Sequence, residues 1–257
     1  MKKIIASITM LAAGAALAST VSSDQTFGVL KITSDTAETA ISVPWVAAGS
    51  GSSAETIKVV DFVKTSNLHT GDRLLKYDAE LDEGNGGFYC WALTADAGSW
   101  QASNTAYHEV FISSGSLTET LTRGDAIILV RGQDSLDETD HAIYLYGQYK
   151  AAPASYLIPR SAGRKTLFAP INVSGGTLDL NSDITWTNAE DGDMIQLQSV
   201  TDGKIRTFTY DSSQKGSEWG RQGISGWVTA STEIKAGQGA WYITTSGSGG
   251  NVTATLK

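Results

Sequence analysis

Acidic side chains near turns and three histidines are the residues of this sequence that could carry out acid–base or hydrolytic chemistry. Two carboxyl groups on facing strands can act as the acid and the nucleophile or base of a glycosidase. A histidine oriented by a carboxylate can activate a nucleophile. The acidic candidates are Asp72, Asp125, Asp193, Glu109, Glu218 and Glu233, and the histidines are His69, His108 and His141.

The local sequence favours structural roles for these side chains. Asp72, Asp125 and Asp193 each follow a glycine, and an aspartate in such a turn commonly accepts hydrogen bonds from nearby backbone N–H groups. The histidines stand among polar turn residues, and no G-x-S-x-G or H-E-x-x-H pattern occurs. We therefore predict no catalytic residue and a protein that is not an enzyme.

Two acidic loops offer the clustered oxygen atoms that calcium binding requires. One carries Asp134, Asp137 and Asp140, and the other is Glu190-Asp191-Gly192-Asp193. Neither matches the EF-hand spacing or the nonapeptide calcium repeat, and a solvated hairpin tip is the alternative interpretation of the first. The predicted metal site is therefore a calcium site in the first loop, and we expect no other cofactor.

Seven tryptophans are the most suggestive binding residues. Indole rings exposed on a β-sheet can stack against sugar rings, as in many carbohydrate-binding modules. Four lie at strand or repeat-equivalent positions where a large aromatic ordinarily packs in a core. These four are Trp91, Trp100, Trp219 and Trp241. The three candidates for sugar stacking are Trp45, Trp186 and Trp227.

The beginning of the chain has the composition of a secretory signal peptide. Met1-Lys2-Lys3 is basic, the stretch 4–18 is uncharged, and Ala16-Leu17-Ala18 matches an A-x-A cleavage site. The stretch is too short to span a bilayer. We predict a signal peptide over residues 1–18, a mature chain beginning near Ser19 without a transmembrane segment, and a periplasmic, cell-surface or extracellular location.

The charge and the cysteine content restrict the partners. The formal net charge is −8, and removal of two lysines with the signal peptide would make it more negative. An acidic chain is repelled by nucleic acid and by anionic lipid. We predict no nucleic-acid partner and expect other envelope proteins, further copies of this chain, or glycans. The single cysteine, Cys90, lies in an aromatic strand and is predicted to be a buried free thiol.

A set of motifs occurs twice along the chain in the same order. Each copy has a Gly-Asp turn, an aromatic strand, a lone tryptophan and a closing glycine turn. The first copy comprises Gly71-Asp72, Phe88 to Leu93, Trp100 and Gly124. The second comprises Gly192-Asp193, Arg206 to Tyr210, Trp219 and Gly237. Loops tolerate the small differences in spacing, so the recurrence predicts an internal duplication.

Short apolar runs separated by Gly-, Ser- and Asn-rich turns are typical of antiparallel strands. After residue 18 no stretch has the periodicity of an amphipathic helix of normal length. The strand pattern lapses between 150 and 165, where we place the boundary. We predict an all-β protein of two tandem antiparallel β-sandwich or barrel-like modules, residues 24–150 and 156–257, related by internal duplication.

Gly237 and Gly239 precede the last aromatic strand. We expect both to need a positive φ, which only glycine adopts without strain. A phosphate-binding role requires a following helix, and the sequence after Gly239 is that of a strand. The turn is therefore predicted to be structural.

The segment Ile234 to Tyr242, together with Phe27-Gly28-Val29-Leu30, Val43-Pro44-Trp45 and Leu145 to Tyr149, resembles a family of uncharacterised secreted paralogous proteins of verrucomicrobial-type bacteria. The resemblance implies export and carries over no catalytic residue. We expect an exported, non-catalytic envelope or extracellular β-protein with a structural or adhesive role. The alternative is a carbohydrate-binding module or, more remotely, a glycan-active enzyme.

Overall fold

A computed structural model describes most of the chain, and its elements are β-strands apart from one 3₁₀ turn at Asp82–Gly84. The prediction of an all-β protein is confirmed. None of the described sheets closes into a barrel, so the barrel-like alternative is replaced by several open sheets. The structure describes residues 16–20, 26–33, 37–43, 56–58, 69–95, 99–103, 112–114, 120–132, 136–137, 142–148, 155–160, 163, 165–170, 177–198, 204–214, 218–223, 226–229, 233–235, 237–247 and 249–257.

The N-terminal half, residues 16–148, forms two larger sheets and a short ribbon. Its strands are β1 (Ala16–Thr20), β2 (Thr26–Thr33), β3 (Glu38–Ser42), β4 (Thr56–Lys58), β5 (Arg73–Asp78), β6 (Gly87–Ala95), β7 (Ser99–Ser103), β8 (Ile112–Ser114), β9 (Thr120–Thr122), β10 (Ala126–Val130) and β11 (Ala142–Gln148). One sheet has the order β1-β2-β11, and another has the order β3-β10-β5-β6-β7 with β8 beside β6. Strands β4 and β9 form the ribbon.

The C-terminal half, residues 155–257, also forms two larger sheets and a short ribbon. Its strands are β12 (Ser155–Ile158), β13 (Lys165–Phe168), β14 (Thr177–Asp179), β15 (Ile184–Thr187), β16 (Met194–Gln198), β17 (Ile205–Asp211), β18 (Glu218–Gly223), β19 (Gly226–Val228), β20 (Glu233–Lys235), β21 (Ala240–Ile243) and β22 (Val252–Leu256). The sheets have the orders β12-β22-β15 and β13-β21-β16-β17-β18-β19, and β14 pairs with β20.

Part of the strand order recurs in the two halves. The strand order β3-β10-β5-β6-β7 in the first half corresponds to the order β13-β21-β16-β17-β18 in the second. The pair β2–β11 likewise corresponds to the pair β12–β22. The ribbons β4–β9 and β14–β20 also correspond. Trp100 lies opposite Leu93 on β7 and β6, and Trp219 lies opposite Tyr210 on β18 and β17. The two predicted anchor tryptophans therefore occupy corresponding strands.

Each half has its own apolar core because alternate residues of its strands point inward. In β16 the buried residues are Ile195 and Leu197, with partly exposed neighbours between them. Trp91 in the first core and Trp219 in the second are fully buried, as predicted from their strand positions. Both cores can thus be traced to a period-two pattern in the sequence.

A third apolar cluster joins the halves. Strand β10 is buried at every position, because Ile127 and Leu129 face the first core whereas its alternate residues face this cluster. Strand β21 contributes Trp241, whose ring lies edge-on to Tyr77 of the first half with 5.0 Å between centroids. The cluster comprises Ala40, Leu75, Phe88, Cys90, Ala126, Ile128, Val130, Leu167 and Ala169. Cys90 is a free buried thiol, as predicted.

Backbone hydrogen bonds cross this junction at two corresponding places. Ser42 N–H donates to the Gly237 carbonyl at 2.8 Å, and Ala169 N–H donates to the Gly124 carbonyl at 3.1 Å. Isolated β-bridges join Ile41 to Gln238 and Asp125 to Phe168. In each case the end of an edge strand in one half meets the closing glycine turn of the other half. We name the contacts of this paragraph and the third apolar cluster together the junction.

The two glycines of the last turn serve the junction in different ways. Gly237 has a φ of +79°, as expected, and a Cβ there would also lie 2.6 Å from Ile32 Cδ1. Gly239 is not among the residues with positive φ, so that part of the expectation is wrong. Its Cβ would instead lie 2.8 Å from Ala126 Cβ and 3.2 Å from Ala40 Cβ. Close approach of the halves, and not backbone conformation, explains Gly239.

Strand β1 bears on the predicted signal peptide. It pairs with β2 from Ala16 opposite Leu30 to Thr20 opposite Thr26, so cleavage after Ala18 would remove three of its five residues. Sheet order places β1 at an edge beyond β2, where its loss leaves the β2–β11 pairing in place. Within the described residues no helix is long and apolar enough to cross a membrane.

Candidate functional site

Several predicted site residues lie outside the described residues, namely Trp45, Asp134 and Asp140, together with His108, His141 and Glu109. Asp137 is described and exposed. The described residues contain no group of three or more His, Cys, Asp or Glu side chains arranged to hold a metal ion. The calcium site at Asp134, Asp137 and Asp140 therefore stays a prediction.

Trp186 and Trp227 are both half-buried. The Trp186 indole N–H donates to the Leu180 carbonyl at 2.7 Å, and its ring packs against Trp219 with 5.1 Å between centroids. Trp227 lies on β19, with its ring against Gly220. These contacts are those of packing residues, and sugar stacking by Trp45, Trp186 and Trp227 stays a prediction.

The two Gly-Asp turns place buried carboxylates at the start of β5 and β16. Asp72 and Asp193 are both 0% exposed. In each turn the glycine has a positive φ, +98° at Gly71 and +89° at Gly192. The Asp72 carboxylate accepts the N–H groups of His69 and Gly132, and the Asp193 carboxylate accepts those of Glu190 and Thr245. Both aspartates therefore fix their own turn and a distant loop.

Asp193 is in addition the centre of a buried ion pair. Arg160, which follows β12, places Nη2 2.7 Å from Oδ2 and Nη1 3.3 Å from Oδ1 of Asp193, in a bidentate arrangement. Both side chains are 0% exposed. Glu190 Oε2 lies 3.4 Å from Arg160 Nη1 at the partly exposed end of the cluster. Charge-assisted bidentate pairs of this kind are the strongest hydrogen bonds between side chains.

The remaining polar atoms of this pair are bonded by the chain itself. Arg160 donates to the carbonyl oxygens of Asn188 and Gly250, and Tyr242 donates its hydroxyl to Asp193 Oδ2 at 2.7 Å. Thr245 donates its hydroxyl to Oδ1 at 3.2 Å. A buried ion pair needs such additional bonds to offset the loss of hydration. We name Arg160, Asp193, Tyr242 and Thr245 the buried polar centre.

The neighbouring groups in this centre change one another's pKa. Burial alone would raise the pKa of Asp193, but the hydrogen bonds from Arg160, from backbone N–H groups and from Tyr242 hold it below the ordinary value. Burial and the bond to Asp193 together raise the pKa of Tyr242. Asp193 is therefore an ionised acceptor and Tyr242 a neutral donor. Neither is poised near neutral pH, where a general acid or base works best.

Tyr242→Phe tests the contribution of the hydroxyl. It removes one donor to a buried carboxylate and leaves the ring, so we expect the free energy of unfolding to fall by about 1.5–3 kcal/mol, the usual value for a hydrogen bond to a charged group. Urea denaturation of the purified chain measures the change. Tyr210→Phe, in the same aromatic cluster, is the matched control, and equal losses in both variants would contradict the assignment.

An open cleft of about 410 Å³ lies beside the junction. It is bounded by β5, by the turn at 123–125, and by β12 and β13 of the other half. Three charged residues line it: Lys76, Arg123 and Asp125. Burial raises the pKa of Asp125, against the opposing effects of the Thr122 N–H hydrogen bond and of Lys76. We name this space the junction cleft.

Sequence reasoning missed Arg160 and the junction cleft. Arg160 stands in Ile158-Pro159-Arg160, within the stretch interpreted as the lapse between modules. Its partners lie far along the chain, so no local pattern pairs them. One signal in the sequence could have indicated Arg160. It directly follows an alternating strand and a proline, and a side chain at such a position can lie at the end of a core.

Comparisons of this chain with protein-family models, with curated proteins and with solved structures found no match. The resemblance to exported paralogous proteins stays a prediction. Function must therefore be argued from the geometry of the described residues.

Proposed function

We propose that this chain is an exported, non-catalytic protein with a structural or adhesive role in the cell envelope or outside the cell. It is built of two modules, residues 24–150 and 156–257, that arose by duplication. The observation that carries the proposal is the buried polar centre. Its charged groups are buried and hydrogen-bonded to other groups of the same chain. An arrangement of this kind stabilises a fold and presents no reacting group to solvent.

Duplication is supported by matching detail at the turns. Gly71 N–H donates to the Leu93 carbonyl and Leu93 N–H returns to Asp72, and the same two bonds link Gly192, Tyr210 and Asp193. The Asp125 carboxylate accepts Thr122 N–H, as the Gln238 amide oxygen accepts Lys235 N–H. Two junction bonds also correspond, and reciprocal contacts of this kind are those found between the two copies of a symmetric dimer.

A structural role is supported by the way the halves are joined. Backbone bridges and a shared apolar cluster link them, so the tandem is expected to act as one stiff unit and not as two modules on a flexible linker. Edge strand β12 also exposes Leu157, which is 67% exposed, and edge strands are common sites of association.

Export and assembly are tested together. We expect the full chain, expressed in a bacterium, to be recovered outside the cytosol with an N-terminus near Ser19 by mass spectrometry. The purified mature protein should bind isolated cell envelopes or form oligomers, and detergent should not be needed to release it from the envelopes. Recovery of the uncleaved chain from the cytosol would overturn export. A protein that stays monomeric and does not bind envelopes would overturn the structural or adhesive role.

A further inference from the structure

The outward face of the sheet β12-β22-β15 carries a regular set of hydroxyl groups. Side chains alternate along each of these strands, so that one face of the sheet packs into the second core and the other faces solvent. Strand pairing aligns the outward residues in two rows, each with one residue from every strand. We name these six residues the threonine face: Ser155, Thr255 and Thr185 in the first row, and Leu157, Thr253 and Thr187 in the second.

The fold itself does not require threonines at these positions. In the first half the corresponding strands are β2 and β11, and Lys31 of β2 lies opposite Tyr144 of β11. Lys31 is exposed, and its ammonium group lies 5.8 Å from the centre of the Tyr144 ring. A lysine and a tyrosine therefore serve where the second half has hydroxyl groups. The repeated threonines of the second half have to be explained by something other than the strand pairing.

Hydrogen bonds hold the threonine face rigid at both ends of its sheet. Arg160 N–H, directly after β12, donates to Asn251 Oδ1 at 3.2 Å, and the Asn188 amide after β15 donates to the Asn251 carbonyl at 3.0 Å. At the opposite end Lys257 N–H donates to the Asp183 carbonyl at 3.0 Å. Threonine is β-branched and has few accessible side-chain conformations. The positions of the hydroxyl and methyl groups are therefore fixed by the backbone before any ligand arrives.

The spacing of the threonine face suits a ligand that has a lattice. Neighbouring strands lie about 4.8 Å apart, and successive outward residues of one strand lie about 6.6 Å apart. Oxygen atoms on the prism face of ice repeat, at right angles to each other, at two distances close to these. A hydroxyl group holds a water molecule at hydrogen-bond distance. Water molecules bound along the two rows can therefore take the positions of an ice layer.

The chemistry of the threonine face disfavours other partners. None of its six side chains is charged, so an ionic ligand finds no counter-charge there. The ring of Trp186, between Thr185 and Thr187, packs against Trp219 in the second core, so the face has no aromatic ring to stack on a sugar. Leu157 is 67% exposed, and contact with a solid surface would remove this apolar side chain from liquid water.

We propose that the threonine face binds the surface of ice crystals, with its five hydroxyl groups bonded to water molecules of the outermost layer of the lattice. This binding goes beyond the structural or adhesive role and does not depend on it. It assigns the activity to the second half of the chain, because Lys31 and Tyr144 occupy outward positions on the corresponding strands of the first half.

Partition of the purified full chain between a slowly growing ice crystal and the remaining liquid tests the proposal. We expect the chain to be enriched in the ice and to slow the recrystallisation of ice grains in a frozen sucrose solution. Serum albumin should stay in the liquid and leave recrystallisation unchanged. Exclusion of the chain from the ice would overturn the proposal. Binding to microcrystalline cellulose or chitin without enrichment in ice would also overturn it, because the face would then hold a glycan.

Thr255→Lys, in the middle of the first row, places a long charged side chain on the threonine face and should abolish enrichment in ice. Thr177→Lys is the matched control, because Thr177 is an exposed threonine on β14 outside the face, and it should partition as the unaltered chain does. Circular dichroism checks folding, and Thr253→Lys carries the same expectation if Thr255→Lys does not fold. Enrichment that persists in the folded variant, or an equal loss in the control, would show that this face is not the site.

Discussion

Arg160→Met is expected to lower the free energy of unfolding by about 3–5 kcal/mol at neutral pH, the usual cost of removing one partner from a buried ion pair. The substitution leaves the Asp193 carboxylate buried without its cation, and it also removes the donors to the carbonyls of Asn188 and Gly250. Equilibrium denaturation in urea measures the loss. Arg206→Met, at an exposed position on β17, is the control and should change stability by about 0.5 kcal/mol or less.

The pH dependence of this loss identifies its cause. In the unaltered protein the pKa of Asp193 lies below its ordinary value, so the carboxylate contributes stability at higher pH and loses it as the pH falls through the folded-state pKa. In Arg160→Met the remaining effect of burial favours the protonated acid. The difference between the two proteins should therefore narrow below about pH 4. A loss that is the same at pH 3 and pH 7 would show that packing, and not charge, is responsible.

Removal of both charges separates the ion pair from its surroundings. Arg160→Met combined with Asp193→Asn leaves no unpaired charge, and the asparagine oxygen can still accept an N–H of the turn. We expect the double variant to lose less stability than the sum of the single variants, because paired residues are not additive. Strict additivity would indicate that the two side chains act independently.

The sequence predicts best those features that local chemistry determines. Asp72 and Asp193 of the two Gly-Asp turns accept hydrogen bonds from nearby backbone N–H groups, as predicted for short acidic side chains at turns. Trp91 and Trp219 lie in their cores because a period-two pattern assigns them to a buried face. In each case the cause lies within a few residues of its effect.

The buried polar centre lay beyond such reasoning because its members come from separate strands. In the sequence Tyr242 is one of several aromatic residues in an apolar strand. Its hydroxyl lies within hydrogen-bond distance of Asp193 because β16 pairs with β21. The sequence predicts Asp193 as a turn residue, and it does bond to the backbone of its turn. Strand pairing gives it a second role as the acceptor for Tyr242 and Arg160. The register between strands that are distant in the chain brings these residues together, and a single sequence does not specify that register.

The junction could not be predicted from the sequence either, although one strand of it carries a recognisable pattern. Strand β10 is apolar at all five positions, which is typical of a strand buried on both faces. The sequence alone could not say what covers the second face. Trp241 covers part of it from the other half, and the small residues Ala40, Ala126 and Gly239 allow the backbones to approach.

That close approach leads to the second large effect, which we expect from Gly239→Val. A Cβ at this position would lie 2.8 Å from Ala126 Cβ, a contact that the packed backbones on both sides cannot relieve without moving apart. Overpacking in a well-packed region costs about 3 kcal/mol at the upper end of its usual range. The loss should fall on the junction, so we expect calorimetry to resolve two unfolding transitions where the unaltered chain shows one.

Second-site changes decide whether the junction is the cause. Gly239→Ala should show a weaker form of the effect, and Ala126→Gly in the same chain should reverse it by removing the opposing Cβ. Gly71→Ala is the control for backbone strain, since Gly71 has positive φ but no atom within 4 Å of its Cβ position. It should cost about 1–2 kcal/mol and keep a single transition. If Ala126→Gly fails to restore Gly239→Ala, contact with Ala126 is not the cause of the loss, and either the Ala40 Cβ, 3.2 Å away, or the turn itself requires the glycine.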